Sequence, residues 1–168
     1  MTSRSGHRDL VARLKRLGAT SAWPIEDDVP WTALDDPEGN RFRVLEPRAI
    51  YADTGPIAAV VVECDDPRTM ARFWNEAIDW TLHEVTDDLA RMRSADGVGP
   101  FLEFVRAPQS ARTRMHLDLR PYAGDNQRHD VTRLRALGAI EVDIAQGDVP
   151  WTVLADVEGN EFCVLTPG

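Results

Sequence analysis

Apolar residues fall at Leu10, Val11, Leu14 and Leu17, the spacing of one helix face, and Gly18 follows as a stop. Trp31 to Leu34 alternates apolar and polar as a strand does; Pro37-Glu38-Gly39-Asn40 then predicts a hairpin turn, with Phe42 to Leu45 returning. Arg48 to Pro56 has no strong period and reads as a linker. Ile57 to Val62 is a nearly continuous β-rich run, the mark of a buried strand. Asp65-Asp66-Pro67 opens a helix, because a carboxylate caps free N–H groups and proline is tolerated in the first turn. Its apolar face is Met70, Phe73, Trp74, Ala77 and Ile78. Trp80–Val85, Leu89–Arg93 and Phe101–Val105 predict three strands. The order then recurs: strand Arg114–Leu119, helix Asn126–Leu137, and strands Ile140–Ile144, Trp151–Ala155 and Glu161–Leu165. Two βαβββ modules result, at 57–108 and 114–168.

One stretch, D-V-P-W-T-x-L-x-D-x-E-G-N-x-F-x-V-L-x-P, occurs twice, from Asp28 to Pro47 and from Asp148 to Pro167. The match extends upstream without a gap, pairing Leu17-Gly18-Ala19 with Leu137-Gly138-Ala139. This is an internal repeat of one supersecondary unit. The first copy lacks its opening strand, so residues 1–50 read as a partial module ahead of a two-module domain at 51–168.

Composition narrows the classes. A net charge of −9 over 168 residues argues against nucleic acid and an anionic membrane surface, which both require basic patches. The acidity either attracts cations or keeps the chain in solution. Two cysteines, Cys64 and Cys163, cannot form a dense disulfide framework. With no apolar signal region after Met1, the chain reads as cytoplasmic with reduced thiols.

The module order, with C-D-D-P-R-T-M-A-R-F-W at 64–74, F-L-E-F at 101–104, H-L-D-L at 116–119 and D-V-E-G-N-E-F-C-V-L at 156–165, resembles the vicinal oxygen chelate superfamily. Glyoxalase I, extradiol dioxygenases and bleomycin- and fosfomycin-resistance proteins belong to it, and the closest likeness is to its glyoxalase-like domain proteins. The resemblance implies an α+β fold of paired βαβββ modules forming a half-open barrel, here with an N-terminal partial module added. It implies metal ligands from the first and last strands of each module, at Ala59, Glu103, His116 and Cys163. Glu103 and His116 match the family's ligand types, Ala59 cannot bind, and Cys163 replaces a carboxylate.

Two readings stay open. Glu103 and His116, joined by Cys163 as a thiolate, would hold a divalent ion (zinc, nickel, manganese or iron), with Glu103 available as a general base. Alternatively no metal binds, Glu103 and His116 are hydrogen-bonded cup residues, and Cys163 is a small buried hydrophobe. The period of two assigns the rest of the cup: Glu63, Phe101, Arg114 and Asp118 lie on the face of those four positions. Family analogy adds Trp151, with Arg91 and Arg93 at the positions matching Trp151 and Val153. Arginines, acids and an indole wall suit a polar or anionic organic ligand with a flat apolar face, or pair with one another at a solvated rim. His83 and His129 read as surface groups, and Trp74 and Trp80 as packing.

The partial module has an amphipathic helix and a hairpin but no companion half, so it is expected to dock on the domain or on a second copy in a homodimer. Two function classes follow: a metal-free protein binding a small polar or anionic molecule, and a metal-dependent lyase, isomerase or dioxygenase.

Overall fold

The computed structural model describes residues 4–23, 28–107, 116–121 and 124–167, and the chain divides into two compact units, Met1–Asp53 and Thr54–Gly168. In the first, α1 (Arg4–Arg16) precedes an antiparallel sheet of β1 (Thr20–Ser21), β2 (Trp31–Asp35) and β3 (Arg41–Leu45) in that order. Leu34 and Val44 are fully buried, and the His7 ring Nε2 lies 3.1 Å from the Val44 carbonyl. The helix covers only part of its apolar stripe: Val11 and Leu14 are half-buried, while Leu10 and Leu17 are exposed.

The second unit holds both modules. The first comprises β4 (Ala59–Cys64), α2 (Pro67–Ile78), β5 (Thr81–Val85), β6 (Leu89–Arg93) and β7 (Phe101–Arg106), with sheet order β4-β7-β6-β5. The second comprises β8 (Leu117–Leu119), α3 (Gln127–Ala136), β9 (Ile140–Glu141), β10 (Thr152–Ala155) and β11 (Glu161–Val164), ordered β8-β11-β10-β9. In each, the first strand runs parallel to the last because the helix carries the chain across. The two four-stranded sheets do not close into a barrel, and the fold is the expected α+β pairing of modules. The strand expected over Ile140–Ile144 is shorter. Asp143 accepts the Ala145 N–H at 2.8 Å, and Ala145 turns left-handed at φ 59°, which takes the chain out of the sheet.

The repeated motif specifies the same local structure in each unit. Asp36 Oδ1 accepts the N–H groups of Glu38 and Asn40, and Gly39 N donates to Asp36 O. Asp156 Oδ1 does the same for Glu158 and Asn160, and Gly159 N donates to Asp156 O. Glycine is needed because both turns demand a positive φ, 81° and 87°. The helix stops match as well. Gly18 and Gly138 are left-handed, and Ala19 and Ala139 donate to Leu14 and Leu134, the bond pattern that closes the last turn.

Helix α2 is held at both ends by the second module. At its start Asp66 accepts from Arg68 N and Thr69 N, and the Thr69 hydroxyl donates to it, which holds its carboxyl below the usual range. Glu158 reaches across to accept the N–H groups of Asp65 and Asp66, each at 2.8 Å. At the far end Arg133 of α3 donates to the carbonyls of Glu76 and Ala77, at 2.9 and 3.0 Å. An acid at the N-terminus and a cation at the C-terminus both oppose the helix dipole. Between them Trp74 lies edge-on to Phe162 at 5.1 Å, and its Nε1 donates to the buried Asp156 carboxylate. One core results, continuous from Met70 and Phe104 to Leu154 and Phe162.

Two consequences are measurable. Asp156→Ala removes a buried acceptor of four N–H groups and should lower unfolding free energy by about 3 kcal/mol in urea titrations; a loss below about 1 kcal/mol would contradict this account of the turn. Burial, then the nearby Glu158 and Asp66 charges, push the Cys64 thiol up to about 12 from 9.0. The unfolded chain therefore ionises first, and the stability Cys64 contributes is present below pH 9 and drains away as pH rises toward 12. The stability gap between the wild type and Cys64→Ala should shrink steadily above pH 9.

Candidate functional site

Strand parity separates each sheet into two faces. Ala90, Met92, Leu102 and Phe104 of one sheet and Leu154, Phe162 and Val164 of the other enter the core. Arg91, Arg93, Phe101 and Glu103, and likewise Val153 and Cys163, therefore occupy the opposite faces. A one-residue slip would drive the charges into the core.

On the first sheet Arg91 stands directly across from Glu103, which in turn stands beside Val61. The Arg91 guanidinium, 3% exposed as a residue, lies 3.0 Å from Glu84 and 3.5 Å from Glu103. A bulge at His83 brings Glu84 into register with Arg91. Arg93 lies over the Phe101 ring at 5.3 Å and donates to the Gly99 carbonyl, while His83 packs edge-on to Phe101 at 5.2 Å. Ala59 sits opposite Phe101, and Glu63 is exposed opposite Val105. Arg114 lies outside the described residues.

On the second sheet Cys163 is flanked by Val153 and Asp118. The register corrects one alignment expected from the sequence. Val153 faces Cys163 as Arg91 faces Glu103, so Arg91 corresponds to Val153 and Leu89 to Trp151. The cause is the longer connection between β6 and β7, which moves the first hairpin's pairing by two residues. Trp151 is half-buried just before β10 and donates from Nε1 to Gln146 at 2.8 Å.

The tightest group of donor side chains is His116, Asp118 and Cys163, whose ligand atoms all lie within 4.8 Å of one another. His116 Nε2 is 3.1 Å from Asp118 Oδ1 and 3.8 Å from Cys163 Sγ. His116 and Asp118 are half-exposed, whereas Cys163 is only 5% exposed. Burial, then the charge of Asp118 and a hydrogen bond to it, push the Cys163 thiol upward, with Glu161 adding to the effect. Glu103 does not belong to this group; its ion pair is on the other sheet. The family's four-ligand set is thus not assembled: Ala59 has no donor atom, and Arg91 engages Glu103.

A cavity of about 370 Å³ opens between the modules, on the helix side of the sheets. Trp74, Ile78 and Trp80 form one wall, Leu102 and Leu117 another, with Leu134 of α3 at the base. Polar groups are few: Asp118, Arg120, Asp130 and Arg133. Sequence periodicity gave Trp74 and Trp80 a packing role and had no means of finding the space beside them, since it lies between two modules. The one available signal was Trp80, an indole immediately after the helix stop.

Residues 59–165 match the model of a family described as glyoxalase-like domain. The fold is similar to that of a maize glyoxalase I mutant, with TM-score 0.64 and 15% identity. That match covers 94% of this chain and 63% of the maize protein, a span that takes in the N-terminal unit. It is also similar to the fosfomycin resistance protein FosX of Listeria monocytogenes, with TM-score 0.53, 12% identity, 68% of this chain and 94% of that one. A glyoxalase/bleomycin resistance/dioxygenase family enzyme of Burkholderia phytofirmans matches with TM-score 0.50, 15% identity, 64% of this chain and 94% of that one. No curated protein matches the sequence.

The Arg91–Glu103 pair yields a stability test. Arg91→Met deprives a buried carboxylate of its guanidinium and should cost about 3 kcal/mol in chemical denaturation. Adding Glu103→Leu should restore most of the loss; a double variant no better than the single one would show that the two do not act as a pair.

Proposed function

The chain belongs to the glyoxalase-like domain family, and from that premise we propose that it binds a small organic molecule without the family's complete metal set. The observation that carries this reading is the inter-module cavity, about 370 Å³ and walled by Trp74, Trp80 and Ile78. That volume is within the range of small-molecule sites, which are mostly apolar with a few placed polar groups. Indole walls favour a flat apolar or aromatic body. Arg133 is occupied with the carbonyls at the end of α2, which leaves the exposed Arg120 as the cation suited to a carboxylate or phosphate end. The ligand class is therefore a compact aromatic or branched apolar molecule with one anionic group.

The second reading, a metal-dependent lyase, isomerase or dioxygenase, is favoured by the His116, Asp118 and Cys163 group. Against it stand Ala59 and the ion-paired Glu103, because such chemistry depends on a well-formed ligand set with open positions for substrate.

Thermal unfolding and tryptophan fluorescence with a panel of small aromatic carboxylates and their uncharged analogues test the binding reading. A true ligand at 100-fold over its Kd should add about 2.7 kcal/mol to stability and perturb Trp80. Ile78→Trp, which fills the cavity, should abolish both effects, and Arg120→Ala should weaken binding of the carboxylates more than that of the uncharged analogues. Stabilisation that survives Ile78→Trp would place the ligand elsewhere and sink the assignment.

A further inference from the structure

The second module carries a feature that owes nothing to the pairing of modules. His116 lies just before β8, Asp118 is on β8 and Cys163 is on the adjacent β11, so one strand pair presents all three donor atoms. Their spacing matches a bound ion. Ligands 2.0–2.3 Å from a tetrahedral zinc stand roughly 3.3–3.6 Å from each other. Here the histidine nitrogen is 3.1 Å from the carboxylate oxygen and 3.8 Å from the sulfur. No backbone movement is needed to reach those values.

We infer that His116, Asp118 and Cys163 form a one-module site for a soft or borderline divalent cation, zinc foremost. The donor set selects the ion: imidazole, thiolate and carboxylate suit zinc or cobalt, whereas calcium and magnesium require oxygen ligands throughout. The electrostatics agree. Asp118 and Glu161 beside a buried sulfur disfavour a second anion, and the same arrangement attracts a cation. On binding, the Cys163 thiol loses its proton to solvent as the sulfur donates a lone pair to the ion, so one proton is released per ion. Three protein ligands leave a fourth position open. This site differs from the four-position arrangement shared between modules, since Asp118 enters and Glu103 and Ala59 take no part. It is independent of the cavity ligand, and either can fail alone.

The test uses the tag-free full chain, stripped of metal and titrated with cobalt(II). One equivalent should produce a thiolate-to-cobalt absorption in the near ultraviolet, and zinc should abolish it. Cys163→Ser should remove the band with the fold retained by circular dichroism. His116→Ala and Asp118→Asn should each weaken binding about tenfold or more. Glu103→Gln should leave the titration unchanged. Absence of a thiolate band in the wild type overturns the proposal, as does its persistence in Cys163→Ser or its loss in Glu103→Gln. If Cys163→Ser does not fold, the His116→Ala titration decides, because His116 is half-exposed and removable without opening the core.

Discussion

The clasp on helix α2 is the constraint from which the rest of the larger unit follows. A helix of twelve residues is marginal alone and must be stabilised by its surroundings. Here the stabilisation at both ends comes from the other module, through Glu158 at the start and Arg133 at the finish. Those contacts set α2 against both its own sheet and Phe162 of the next. The inter-module cavity exists because the clasp holds the helix where Trp80 and Ile78 stand off from Leu117.

Much of this was legible in the sequence because the physics is local. Asp66 with Pro67 announces a helix start, and Gly18 and Gly138 announce helix stops. Asp156-Val157-Glu158-Gly159-Asn160 spells out a turn whose bonds all lie within five residues. The division of the strands into core and polar faces also follows from a period of two. Less legible was anything set by the length of a connection. The β6–β7 loop displaces Arg91 by two positions from the alignment, and no residue in either strand signals it. Likewise Asp143 ends β9 by a side-chain bond that competes with an apolar pattern running on to Ile144.

The candidate site followed the same rule. His116 and Cys163 were visible as positions of a resemblance, and Asp118 as a residue on their face. That Asp118 and not Glu103 closes the group depends on which strand lies beside β11, a matter of sheet order that spacing along the chain does not encode. Arg91 decides the fate of Glu103 in turn. A guanidinium beside a buried carboxylate makes it a structural anion rather than a group awaiting a cation.

The span of the Glu158 bond bears on how the chain is made. Its partners are 93 and 92 residues apart, so α2 leaves the ribosome well before its clasp is synthesised. At bacterial elongation rates the wait is roughly 5–20 s. Throughout it, Phe73 and Trp74 have no Phe162 to rest on. The nascent first module is thus a natural client for chaperones, and its final docking belongs to the last moments of translation.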